Sequence, residues 1–159
     1  MKGRATSLVW LLVVGVCLFL VAKFVVTPHV VYGDSMTPTL KSWDFCLMRR
    51  VRHYDPQRGD IVVFRTVDDP PLYFVKRVIA LPGETVAIER GVFIINGKPL
   101  AEPYTTQNPG WQMESTPVPT AKIFVCGDNR DFPREDYVQG LVATRLVQER
   151  MIGHWRWKQ

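Results

Sequence analysis

ETVAIERGVFIINGKPL, residues 84–100, decides the fold class. Val, Ile and Phe dominate two strand-length runs, ETVAIER (84–90) and GVFIING (91–97). Side chains of this kind favour a pleated, half-buried backbone. FIINGKPL reads as a hairpin, because Asn96-Gly97 supplies the two positive-φ residues of a tight type I′ turn. Similar runs surround it: WDFCLMRRV (43–51), DIVVFRTV (60–67), LYFVKRVIA (72–80), AKIFVCGD (121–128) and ATRLVQER (143–150). Gly, Pro and Asp punctuate them at 56–60 and 82–84. EPYTTQNPGWQMESTPVPT, residues 102–120, reads as one long irregular loop, and such a loop in a small domain is usually functional or mobile. There is no internal repeat. This pattern predicts a mainly β domain over 27–159, a compact barrel or sandwich.

The N-terminus is different. From Leu8 to Ala22, fifteen residues carry no charge and no strongly polar group. Ser7–Val26 would make about 30 Å of helix, the thickness of a bilayer core. Lys23 lies near one end, where its stem can snorkel to the interface. A cleaved signal peptide needs a small-residue site after the apolar run, and FVVTPHVVYG has no Ala-x-Ala pattern. A buried core helix needs a polar face, and this run has none. The reading taken is an uncleaved membrane anchor over 7–26, with a cytoplasmic tip at 1–6. Lys2, Arg4 and the terminal amine put the remainder of the chain across the membrane.

The net charge of +5 is modest and dispersed. Arg49, Arg50 and Arg52 cluster with His53, while Arg156 and Lys158 flank Trp155 and Trp157. No nucleic-acid module accompanies them, so they read as a solvated basic face near anionic lipid headgroups. Cys17 reads as an apolar residue of the span. A bond between Cys46 and Cys126 is open outside the cytoplasm but has no geometric support in the sequence. No CxxC or His-rich spacing suggests a metal, and no cofactor is expected.

Candidate chemistry lies in GDSMTPTL (33–40) and YFVKRVIALPGE (73–84). Strand alternation puts Leu72, Phe74, Lys76, Val78 and Ala80 on one face, with Tyr73, Val75, Arg77 and Ile79 on the other. Apolar neighbours disfavour a charged lysine and lower its pKa. The shift needed is large, since an unperturbed lysine is neutral in only about one molecule in 2,000–3,000 at pH 7. A general base needs a pKa lowered by roughly 3 units, which full burial supplies. From the strand alone, an edge lysine facing solvent is the ordinary expectation. Ser35 alone is equally a turn serine. A Ser-His-Asp relay is the weaker alternative, because His29 follows the span directly and His53 sits in the basic RRVRHY.

Taken together, these stretches resemble the type I signal peptidases. GDSMTPTL is similar to that family's nucleophile box, RGDIVVF (58–64) to its next box, YFVKRVIALPGE to the box with the base lysine, and CGDNRD (126–131) to its last. The boxes occur in order behind an anchor, and the 41-residue step from Ser35 to Lys76 suits the compact members. The resemblance implies Ser35 as acylating nucleophile, its backbone N–H in the oxyanion hole, and Lys76 as general base. Some members place a hydroxyl two residues before the nucleophile. Gly33 occupies that position here.

Arg77 needs a fixed carboxylate to be buried, and the resemblance offers Asp128. Asn129, Arg130 and Glu135 belong with it in the surrounding shell, and Met36 and Pro38 with substrate or membrane contact. The chain departs from the family after GDNRD, where FPREDY (132–137) puts Pro133 in place of a serine that orients the lysine and Tyr137 in place of an Arg.

The resemblance implies a plasma-membrane serine endopeptidase that removes signal peptides with small residues at −3 and −1, the mitochondrial inner membrane being the alternative. A catalytically impaired anchored relative that binds signal segments is the competing reading, motivated by Pro133. A self-cleaving Ser/Lys repressor predicts a DNA-binding helical N-terminus, which residues 1–32 do not resemble.

Overall fold

A computed structural model describes residues 2–105, 110–131 and 140–156, apart from the side chains at 2–6, 8, 18 and 20–24. Among the described residues, one α-helix, α1 (Lys2–Val25), is followed by eleven strands: β1 (Val26–Val30), β2 (Phe45–Arg50), β3 (Ile61–Arg65), β4 (Tyr73–Ala80), β5 (Thr85–Glu89), β6 (Val92–Ile95), β7 (Lys98–Pro99), β8 (Met113–Pro117), β9 (Lys122–Cys126), β10 (Gly140–Ala143) and β11 (Val147–Trp155). All pairings are antiparallel. A seven-stranded sheet runs β1-β2-β11-β3-β4-β9-β10, and a four-stranded sheet runs β7-β6-β5-β8. The mainly β expectation therefore holds.

The predicted hairpin forms as read. Ile95 pairs with Lys98 around Asn96 and Gly97, whose φ values of 49° and 75° are both left-handed. Arg90 and Gly91 build a second such turn between β5 and β6, with φ of 50° and 79°. That turn lacks the Asn-Gly signature, so its sequence signal is weak. A Cβ at Gly97 meets nothing within 4 Å, so Gly97→Ala tests backbone strain alone. It should cost about 1–2 kcal/mol in urea unfolding.

Three expectations need correction. First, ATRLVQER is not one strand: β10 ends at Ala143, a 3-10 turn covers Thr144–Leu146, and β11 begins at Val147. The turn lets the chain leave β10, the edge strand beside β9, and re-enter between β2 and β3 as β11. Second, the stretch 102–120 is not wholly irregular. Met113–Pro117 forms β8 against β5, and Val118 is buried beside it. Third, strict alternation along β4 fails at a bulge between Val78 and Ala80. Val78 packs with Val62, Phe64 and Phe74, whereas Ile79 and Ala80 both join the Phe93–Phe124 cluster.

α1 lies where a span was expected. Among the described residues no helix is long and apolar enough to cross a membrane. No disulfide joins Cys46 and Cys126, which are buried in different clusters.

Candidate active site

The serine sits in a closed loop between β1 and β2. Val31 N–H donates to the Asp44 carbonyl at 3.0 Å and Trp43 N–H to the Val31 carbonyl at 2.9 Å, tying the base. Inside it, Thr37 N–H donates to Asp34 O and Leu40 N–H to Met36 O. Met36 and Leu40 are buried in the cluster with Val31, Cys46 and Met48 and anchor the turn inward. Ser35 is left half-buried beside exposed Asp34. Gly33 takes φ of +88°, a left-handed conformation that favours glycine, and its N–H donates to Ser42 Oγ at 3.0 Å.

Lys76 lies on β4, which is interior to the large sheet between β3 and β9. It pairs with Val62 and is only 3% exposed. The solvent-facing edge lysine expected from the strand alone is thus overturned by the sheet order. Burial holds the Lys76 pKa below its ordinary value, against the opposing pull of Cys126 and Asp128.

CGDNRD brings the serine loop to the lysine strand. Arg77 is clamped by Asp128, Nε to Oδ1 at 2.8 Å and Nη2 to Oδ2 at 2.6 Å. One residue on, Asn129 N–H donates to the Ser35 carbonyl at 3.1 Å, and Asn129 Nδ2 to the Asp34 carbonyl at 3.0 Å. Ser35 and the residue after Lys76 are therefore held by adjacent positions of one segment. RGDIVVF supports the same strand. Arg77 Nη1 donates to the Gly59 carbonyl, and Gly59 and Asp60 exchange backbone bonds with Val78. Arg58 joins Ile79 O to Glu84 of LPGE.

Arg130 is 1% exposed and fully committed: Nε donates to Gly127 O at 2.8 Å and Nη2 to Glu102 Oε1 at 2.5 Å, and its guanidinium lies 4.9 Å from the Phe93 ring. Sequence reasoning missed Tyr104, whose ring stacks 3.9 Å from the Arg77 guanidinium and whose hydroxyl donates to Glu102. It also missed Thr39, which donates to Asp128 Oδ2 at 2.6 Å. Neither residue stands out in sequence, since both occupy polar, turn-like stretches. Met36 is core that also faces a cavity, while Pro38 is exposed, outside that cavity's lining. His29 Nε2 lies 2.7 Å from Glu149 Oε2, a pairing that engages it elsewhere than in a serine relay. Pro133, Glu135 and Tyr137 lie outside the described residues.

The cavity beside Ser35 is about 1,260 Å³ and is walled by Val31, Met36, Met48, Val63 and Val75, with Arg50 and Glu149 among its polar residues. It runs between the serine loop and the Tyr73–Val75 end of the lysine strand. Removing Arg130's partner by Glu102→Ala leaves a buried guanidinium uncompensated, and should cost about 3–5 kcal/mol in denaturant unfolding. A loss below about 1 kcal/mol would contradict this role for the pair.

Residues 4–143 match the family model described as signal peptidase, peptidase S26. The chain is similar to "Probable signal peptidase I-1" of Synechocystis sp., 37% identical over 154 residues that cover 91% of this chain and 76% of that protein. It is similar to signal peptidase I of Leptolyngbya laminosa, at 34% identity over 83% of this chain and 70% of that protein. A crystal structure of a signal peptidase I from Enterococcus faecalis aligns at 30% identity with a TM-score of 0.45, covering 59% of this chain and 94% of that one.

Proposed function

We propose, because this chain belongs to the signal peptidase family (peptidase S26) and is a signal peptidase I, a serine endopeptidase, that Ser35 and Lys76 form its catalytic dyad. The observation that carries this reading is the joining of Ser35 and Arg77 through Asn129 and Asp128, next in sequence to a buried lysine on the interior strand β4. Neutral Lys76 accepts the Ser35 hydroxyl proton as Oγ attacks the scissile carbonyl. The tetrahedral oxyanion takes a hydrogen bond from the Ser35 backbone N–H. Lys76 then protonates the departing amine, leaving the signal peptide esterified to Ser35. Water, deprotonated by the same lysine, hydrolyses the ester.

The preprotein segment lies extended along the cavity, its −1 and −3 side chains in the shallow apolar wall, with main-chain hydrogen bonds to an exposed strand. A model preprotein with Ala at −3 and −1 should be cut once, after the −1 residue, and Phe at −1 should stop the reaction. Equal cleavage of the Phe form would remove the cavity from the mechanism. A covalent adduct on Ser35, found by mass spectrometry after acid quench, is the expected trapped intermediate.

The anchor over 7–26 belongs to the same reading. Its support is the uncharged run Leu8–Ala22 and the exposure of Trp10, Leu11, Leu12 and Phe19, each at least 66% exposed on α1. The basic tip, Lys2 and Arg4, supports an N-terminus on the cytoplasmic side, and the resemblance of GDNRD to bacterial members supports the plasma membrane. The protein should remain in the pellet after alkaline carbonate extraction; release into the supernatant would overturn the anchor.

A further inference from the structure

Arg156 is one residue beyond β11 and outside the segment that matches the family model. The sequence places it in a basic, headgroup-facing tail, but in the structure it turns back onto the serine loop. Its Nε donates to Asp44 Oδ1 and Oδ2 at 3.0 and 3.1 Å. Nη2 donates to Asp44 Oδ2 at 2.7 Å, to the Thr39 carbonyl at 3.2 Å and to the Pro38 carbonyl at 3.3 Å. Asp44 is 3% exposed, accepts the Lys41 N–H at 2.9 Å, and closes the base of the loop through its carbonyl to Val31 N–H. Thr39 in turn donates to Asp128 and accepts from Arg77 Nη2 at 3.3 Å. One guanidinium therefore ties the base of the loop to the turn that carries Ser35, and through Thr39 to the residue after Lys76.

We infer that Arg156 is a positioning residue for catalysis, fixing the turn 35–39 against β2 and the Arg77–Asp128 pair so that Ser35 keeps its reach to the lysine strand. Arg156 does not line the cavity, so its effect falls on turnover and not on substrate binding. The three carbonyl and carboxylate groups it gathers belong to different loop positions, which a lysine ammonium cannot span with the same fork. A displacement near 1 Å at a reacting atom is enough to lower a rate by about 100-fold.

The inference rests on Ser35 being the nucleophile, so Ser35→Ala is measured beside the Arg156 variants. The full chain in detergent micelles cleaves a model preprotein, and kcat and KM are determined with a melting curve for each variant. Arg156→Ala should lower kcat by about 10- to 100-fold with KM within about threefold. Arg156→Lys should fall between it and the parent, and millimolar guanidinium should restore at least about fivefold to Arg156→Ala alone. If Arg156→Ala does not fold, Asp44→Asn, which keeps the acceptor for Lys41 N–H, should show the same fall in kcat. A kcat within twofold of the parent in the folded variant, a loss confined to KM, or no guanidinium rescue overturns the inference. An active Ser35→Ala overturns the nucleophile assignment instead, whatever Arg156 does.

Discussion

Lys76→Met and Lys76→Arg should each abolish preprotein cleavage, as should Ser35→Ala, with kcat falling by about 10⁴ or more in every case. The three losses share one cause, because nucleophile and base act as a unit. Arg is the informative replacement. It keeps the positive charge but stays protonated at every accessible pH, so it cannot accept the serine proton. Met is close to lysine in length and removes the cost of burying a polar amine at a position only 3% exposed, so its melting temperature should equal or exceed the parent's. Activity of the parent should rise with pH through the lowered pKa of Lys76 and then level, since only the neutral amine is a base.

The stability sign follows from the same shift. The unfolded chain keeps its lysine proton up to the ordinary pKa, while the native lysine loses it earlier, so stability rises with pH between the two values. A rate with no rising limb at any pH below the ordinary lysine range, or an active Lys76→Arg, would sink the lysine as base.

Asp128→Ala should unfold the protein about 3–5 kcal/mol more easily, measured by urea titration, and carry most of the activity away with it. Arg77 is 9% exposed and donates twice to Asp128, so the truncation strands a buried guanidinium. Stacking on Tyr104 and the bond to Gly59 O remain, but neither neutralises charge. Thr39 loses its acceptor in the same step. A double variant, Asp128→Ala with Arg77→Met, should recover part of the stability while leaving activity low, because the cation is gone but the tie between serine loop and lysine strand is not rebuilt. A single-variant loss below about 1 kcal/mol would mean that the pair is solvated, against its burial.

Most of the strands were legible in local pattern. Six of the seven runs contain one strand each, and the Asn96-Gly97 turn adopts the conformation its residues favour. β8 was not legible because MESTP carries a single strongly apolar residue, and its pairing with β5 supplies what its composition does not. The bulge after Val78 was equally hidden: a period-2 pattern has no way to signal where one residue drops out of register. The roles of Thr39, Tyr104, Asp44 and Arg156 were illegible for a different reason. The partners that decide those roles, Asp128 for Thr39, Arg77 for Tyr104, and Asp44 and Arg156 for each other, lie far away in sequence, so a polar side chain there looks the same whether it faces water or a buried charge.

By itself the sequence determined the mainly β class, the apolar N-terminal run, the Asn96-Gly97 hairpin and the order of the boxes holding Ser35, Lys76, Arg77 and Asp128. These depend on residue type and spacing, which are local. Only the tertiary structure decided that Lys76 is interior and not an edge lysine, because strand order is set by which sheet edges remain unpaired once every strand has found a partner. Only it decided that Arg156 leaves the basic tail to hold the serine loop. A charge at the end of a chain is committed by what lies within reach after folding, and here that is a buried carboxylate and two carbonyls.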